Sequence, residues 1–449
     1  MKKYILLFVV MGFTYGCEDF LELDVPKDQI FQESAFQQEK TAVAIMANIY
    51  TSLRNEGFLC GNTRGIGYLM GCYTDELHVT VPGDTDYKHF YHLTVSPVNA
   101  TVKNLWDVSY KQLYAVNNLL EGLDGSHHLK EEVVKQLKAE AMLVRGLLHF
   151  YLCQTFGSVP YVKVTDYNVN KSIKRLNVDA VMHNAVNDLL EAEKLLKEVP
   201  PLNNKVRISE PAVQGFLARM YLYQENWSAA YEYALKVINS GAFQMEPLDK
   251  VFLKERTSAL WHFKPVADNT NTLEGASYIF TSVPAPFVEL HENLLLSFES
   301  GDLRKTEWTK VLGTSAHAYK YRQRGPSPAS IEHSVVLRIE EIHLIAAEAA
   351  AEMNDWFNFN NNINLLRSRA NLEELSVADI ESAVTYILAE RRGELFCEFG
   401  HRFFDLKRKN RLQLMSGLKP LWEQKHELLP LPETELQLNP NLMPQNPGY

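Results

Sequence analysis

Apolar residues recur at steps of three and four through most of this chain, and only an α-helix gathers that spacing onto one face. In "LKAEAMLVRGLLHFYLCQTFG" the series is Leu137, Ala141, Val144, Leu148 and Tyr151, and Gly157 closes it as a C-terminal helix glycine does. Ala42, Ile45, Ile49 and Leu53 repeat the pattern upstream, as do Trp106, Tyr110, Leu113 and Leu120. Near the other end it returns in Ile380, Val384, Ile387 and Leu395. The expected fold class is mainly α, with a helical body over about 34–53, 101–240 and 335–425.

One stretch of that body has a finer pattern. "LARMYLYQENWSAAYEYALKVI" places Leu217 and Ala218, then Tyr221, then Ala230 at the offsets of a tetratricopeptide helix pair. Small residues let two helices approach, and the tyrosine fills the gap between them. Ala234 departs from the consensus, which has a large aromatic there. A second Ala-rich pair is expected in "EEIHLIAAEAAAEMNDWFNFNNNINLLRSRA".

The helical signal lapses over about 54–100 and 242–335. The second stretch carries Pro247, Pro265, Pro284, Pro286, Pro326 and Pro328. Irregular segments that long inside a helical protein tend to be functional. The proline-rich ending "LLPLPETELQLNPNLMPQNPGY" is expected to be an extended tail lying on the body.

A formal net charge of −10 argues against a nucleic-acid partner, which favours a basic face. No run of about 18 apolar residues offers a spanning helix. The N-terminus is different in kind: Lys2 and Lys3 precede an apolar run from Tyr4 to Phe13, which suits a secretory signal. Gly16 and Thr14 supply small residues before a cut, and Cys17 stands where a bacterial lipoprotein signal needs its acylated thiol. Tyr15 is bulkier than the tightest form of that motif. Residues 1–16 therefore read as a lipoprotein signal peptide and Cys17 as the lipid anchor, against an ordinary signal peptide or a buried N-terminal helix.

Four cysteines remain: Cys60, Cys72, Cys153 and Cys397. Export permits disulfides, and Cys60 with Cys72 is the favoured pair, while Cys153 lies in a helical pattern that suits a buried thiol. No zinc spacing occurs. "GDTDY" offers Asp84 and Asp86 but lacks the rest of a calcium loop, so no metal or other cofactor is expected. GxSxG, HExxH and GxxxxGK are all absent, and no catalytic residue is assigned.

Charge is concentrated at Glu390, Arg391, Arg392, Glu394, Glu398, Arg402, Asp405 and Arg408, interleaved with Leu395, Phe396, Phe399 and Phe403. An anionic ligand site would use such a cluster. A partly buried ion-pair clamp is the preferred reading, because charges set in an apolar pattern must be paired. The better binding candidates are aromatic residues of the irregular segments, whose planes stack on the C–H faces of sugars. Tyr73, Tyr87, Phe90 and Tyr91 fall in the first segment, with Tyr68 nearby and Asp75 as a polar neighbour. Trp261, Phe287, Trp308, Tyr319 and Tyr321 fall in the second, with Tyr278. Trp106 and Trp227 lie on helix faces and read as core.

Taken in order, "CEDFLELDVP", "NLWDVSYKQLYAVNNLL", "AEAMLVRGLLHFYLCQTFGSVPYV", "GFLARMYLYQENWSAAYEYALKVINSGAF", "LIAAEAAAE", "INLLRSRA", "ERRGELFCEFGHRFFDLKR" and the closing segment resemble the SusD/RagB family of Bacteroidetes surface lipoproteins. The resemblance runs nearly end to end. It implies one SusD-like domain over 17–449, with tetratricopeptide-like pairs as the body and the loops over 54–100 and 242–335 as the ligand face. It also implies a cell-surface outer-membrane lipoprotein, with Glu18 and Asp19 similar to that group's surface-export signal. Such proteins do not catalyse; each caps a SusC-like TonB-dependent transporter and delivers glycan, or in some members peptide, into it. After removal of 16 residues the chain is short for the family, which implies reduced specificity loops. Peptide capture is the runner-up, followed by a surface glycosidase and an intracellular tetratricopeptide scaffold.

Overall fold

A computed structural model describes residues 36–449 apart from Asp84 and Asn203. The signal segment, Cys17, Glu18, Asp19 and Asp84 lie outside the described residues. The longer helices are α1 (Glu39–Asn55), α2 (Ile66–Tyr73), α3 (Ala100–Asp124), α4 (Glu131–Phe156), α5 (Val178–Leu196), α6 (Glu210–Tyr223), α7 (Trp227–Asn239), α8 (Ile339–Glu352), α9 (Trp356–Arg369), α10 (Ile380–Leu395) and α11 (His401–Arg408). The mainly helical class holds. Several helices begin where an Asn or Asp side chain takes up free backbone N–H groups. Asn99 accepts from Thr101 and Val102, Asn177 from Ala180, Asp355 from Asn358, and Asp379 from Ser382.

From α3 to α9 each long helix packs on the next in chain order. That nearest-neighbour stacking is the logic of a helical repeat. Gly146 lets α4 approach α5: a Cβ there would stand 3.0 Å from the Ala185 carbonyl oxygen. Beside it Arg145 and Asp188 form a buried ion pair of 2.7 Å. In the α6–α7 pair Ala218, Ala230 and Ala234 are fully buried, and Tyr221 stacks on Tyr233 with centroids 5.5 Å apart. The tetratricopeptide offsets in the sequence are thus real packing positions. The chain departs after α7 and returns at α8, which packs on α7 across the insertion.

The two irregular stretches contain more structure than their sequence suggests. Residues 54–100 include α2, buried along its whole length. They also supply strand β1 (Leu77–Val79), which pairs antiparallel with β3 (Val288–Leu290) of the second stretch. That second stretch adds β2 (Ala259–Phe263), paired with β6 (Ser334–Arg338), and the ribbon β4 (Thr309–Leu312) with β5 (Ser315–Ala318). The tail lies on the body, where Asn446 Nδ2 donates to the carbonyls of Phe156 and Leu429 at 2.9 and 2.8 Å. It is not wholly extended, since Glu433–Leu438 forms a short helix.

Buried charge ties the insertion to the last helices. Glu394 on α10 meets Arg338 at 2.5 Å, Arg369 at 2.6 Å and Arg304 at 3.5 Å. Arg338 also reaches Glu398 at 3.0 Å, and Arg304 reaches Glu390 at 2.5 Å. Burial alone would raise the Glu394 carboxyl, but Arg369, Arg338 and Arg304 outweigh it and hold the group well below the usual carboxylate range. The C-terminal charge pattern is therefore a clamp, as preferred from sequence. Its Arg391 and Arg408 share Asp405, and Arg408 continues to Glu348.

Removing one member of a buried ion pair leaves its partners charged and desolvated, at a cost of roughly 3–5 kcal/mol. Glu394→Gln is expected to lower stability by about that amount in chemical denaturation, with the helical circular-dichroism signal intact before the transition.

Candidate functional site

The β1–β3 ribbon is the hub of the loop face. Leu77, Val79, Val288 and Leu290 point inward, while the opposed His78 and Glu289 lie outward, paired at 2.9 Å. Alternation of that kind is what a half-buried ribbon requires. The ribbon continues by one more bond, from Thr80 N to the Phe287 carbonyl at 2.9 Å, and Thr80 Oγ1 donates to the Ala285 carbonyl. Phe287 thereby sits on a fixed backbone, and its side chain is 49% exposed.

Beside the ribbon the short helix Asp86–His92 carries three of the expected aromatics. Tyr87 is half-buried and edge-on to Tyr68, which stacks on Tyr278 at 5.7 Å. Tyr91 is half-buried under the Lys419 ammonium, 3.5 Å from its ring centre, with His78 edge-on at 5.5 Å. Burial brings Lys419 down to about 8. Farther along the face Tyr319 is half-buried, with Lys310 at 4.7 Å and Arg322 at 5.7 Å from its ring centre. These four, Phe287, Tyr87, Tyr91 and Tyr319, keep aromatic surface open to solvent.

The other expected ligand residues are structural. Trp261 on β2 is fully buried among Tyr50, Phe216 and Phe263, and its indole N–H donates to the Val206 carbonyl at 3.2 Å. Trp308 is buried against the charge clamp, with Lys320, Arg338 and Arg369 at 5.0, 5.9 and 5.7 Å from its ring centre. Tyr321 is buried, and its hydroxyl oxygen accepts from Val335 N. Phe90 and Tyr73 are buried edge-on to each other, with Phe403 behind Tyr73. Asp75 is buried and holds Arg402 at 3.0 Å and Arg392 at 2.8 Å. Burial would raise its carboxyl, yet the two guanidinium groups keep it below the ordinary value. None of these six can present a face or a free carboxylate to a ligand without opening the core.

Cys60 and Cys72 form no bond to each other; both are free and buried, as are Cys153 and Cys397. Cys60 Sγ donates instead to the Gly57 carbonyl. Under the face, a cavity of about 30 Å³ lined by Tyr68, Glu274, Tyr278 and Lys320 has room for about one water. It is too small for a sugar ring. Among the described residues no group of three or more His, Cys, Asp or Glu could hold a metal ion, and no helix is long and apolar enough to cross a membrane.

Sequence reasoning missed a device that ties two loops of the insertion together. Asn271 Nδ2 donates to the Gly325 carbonyl and to Ser327 Oγ, while its Oδ1 accepts from Ile331 N. One asparagine thus locks the 264–272 loop to the 325–331 loop, leaving Val266 exposed beside them. The cue was an asparagine within "DNTNT", a residue that readily bonds nearby backbone.

A family model described as starch-binding and associating with the outer membrane matches residues 19–222, and one described as the SusD family matches 308–424. The chain belongs to the SusD family. SusD-like protein P2 of Formosa agariphila is 25% identical over the full length of both chains, and SusD-like protein P25 of the same organism is 24% identical over 99% of each. A SusD superfamily protein from Bacteroides vulgatus superposes with a TM-score of 0.81 at 19% identity, over 92% of this chain and 99% of that one. A laminarin-binding SusD-like protein superposes at 0.76 and 20% identity, over 91% and 99%. A surface glycan-binding protein of Bacteroides uniformis superposes at 0.77 and 20% identity, over 91% and 99%. The chain shares the SusD fold with all three.

Glu274 gives the face a titration. It lies beneath Gly61, accepts from Ser334 Oγ at 2.7 Å, and burial pushes its carboxyl from 4.5 up to about 7. The folded state keeps a proton that the unfolded chain has lost, so stability falls as pH rises from about 4.5 to about 7. Glu274→Gln is expected to flatten that fall by roughly 2–4 kcal/mol in denaturation curves across the interval.

Proposed function

We propose that this chain is a non-catalytic glycan-binding lipoprotein of the cell surface, anchored in the outer membrane through Cys17 and working with a SusC-like TonB-dependent transporter. The observation that carries the reading is the loop face, where Phe287, Tyr87, Tyr91 and Tyr319 offer planar apolar surface on backbone fixed from below. Planes held in place suit sugar C–H faces, because little rotamer freedom is lost on binding. His78, Glu289, Lys310 and Arg322 stand beside them to bond hydroxyl groups. The names of the laminarin-binding and glycan-binding relatives support a carbohydrate ligand. The stacked helices supply a rigid body against which a transporter docks. Acylation at Cys17 adds about 0.8 kcal/mol per buried methylene, and more than one chain makes the attachment stable.

Titration calorimetry with laminarihexaose and maltohexaose tests the face. Phe287→Ala and Tyr87→Ala should each weaken binding by about tenfold, or ~1.4 kcal/mol, with the melting temperature little changed. Trp261→Ala should instead lower stability by roughly 3–5 kcal/mol, since it empties a core site. Unchanged affinity in both loop variants would show the wrong face had been chosen, and release of shorter sugars would refute a non-catalytic role. Mass spectrometry should find acyl chains on Cys17 and none after Cys17→Ser.

A further inference from the structure

A second groove, lined by none of the loop-face aromatics, lies between α3, the segment following α4, and the C-terminal tail. Its volume is about 670 Å³, and its walls come from three parts of the chain far apart in sequence. Small-molecule sites in proteins fall in the same range, roughly 300–1,000 Å³. We infer that this groove is a separate binding site for an uncharged oligosaccharide.

One wall is an aromatic stripe. Trp106, Tyr110 and Tyr114 are four residues apart on α3, so they share a face and step along it by about 6 Å. Trp106 lies deep, Tyr110 is half-buried with its hydroxyl donating to the Pro160 carbonyl at 3.0 Å, and Tyr114 is 55% exposed. Tyr167, 74% exposed, lines the groove from the segment after α4, with Lys171 Nζ 5.6 Å from its ring centre. A graded set of planes, buried at one end and open at the other, fits successive sugar rings.

The frame around these planes is fixed. Thr165 N donates to Glu121 of α3 at 2.8 Å, and Asn439 Nδ2 of the tail donates to the Ile173 carbonyl at 2.9 Å. The charges lining the groove cancel: Lys103 pairs with Asp107 and stands 3.8 Å from Glu435, and Lys171 is the remaining cation. Two acids against two lysines leave no net charge to attract an ion. Asn170, which also lines the groove, stiffens its wall by donating from Nδ2 to the Val164 carbonyl at 2.8 Å. Aromatic planes and balanced charge together specify a sugar rather than an anion.

The experiment compares the full mature chain with two double variants, Tyr114→Ala/Tyr167→Ala in the groove and Phe287→Ala/Tyr87→Ala on the loop face. Each is titrated with maltohexaose, laminarihexaose, cellohexaose and mannohexaose. The groove variant is expected to lose about tenfold or more in affinity for at least one hexaose that the loop variant still binds. Tyr114→Phe/Tyr167→Phe should retain that binding, which separates stacking from a general loss of fold. Loss confined to the loop variant would overturn the groove and leave the loop-face reading standing. Loss confined to the groove variant would do the reverse. Absence of binding to all four sugars by the unmodified chain overturns the groove as stated.

Discussion

Glu394 is the point on which the architecture turns. Its carboxylate is out of water, yet it stays ionised because Arg338 ends strand β6, Arg369 ends helix α9 and Arg304 begins a short helix of the insertion. Three elements with little else in common are thus drawn to one position on α10. Lys320 extends the arrangement by donating to the carbonyls of Glu394 and Phe396 and to the Glu398 carboxylate. Such a network adds little stability over a well-packed apolar core, but it tolerates few alternative arrangements. The loop insertion inherits its position from this chemistry.

The ribbon bearing Phe287 and the helix bearing Tyr87 stand on that frame. Asp75 follows α2 and binds Arg392 and Arg402, so the first irregular segment is fastened to α10 and α11. Both loop stretches are thereby anchored to the same pair of C-terminal helices. A binding face needs this kind of support, since planes that move lose affinity when they are ordered.

Much of the helical body was legible in sequence because its signal is periodic and local. Leu137 through Tyr151 and the Ala218–Ala230 pair are buried where their spacing puts them. The charge clamp was also legible, because Glu394 and Arg391 interrupt an apolar face and must be paired. The site was less so. Trp261 stands in "ALWHF", a five-residue strand buried at every position, and its apolar residues, broken only by His262, were a cue to core that the surrounding prolines obscured. Asp75 and Trp308 looked free because their partners, Arg402 and Arg338, are distant in the chain. Phe287 was found because it sits in a loop, but its exposure depends on a long-range ribbon that no local pattern announces. Cys60 and Cys72 lay close in sequence, yet each thiol is buried in its own packing.

The fold thus separates two parts: a stack of helices carries the load of folding, and loops held by buried charge carry the exposed aromatics proposed to meet a ligand. A crystal structure of the mature chain soaked with a bound hexaose tests this most directly. Density for a sugar ring against Phe287 or Tyr87, with the Glu394 cluster undisturbed, is the expected result. Absence of any ordered sugar from the 61–92 and 264–331 loops at saturating hexaose would contradict it.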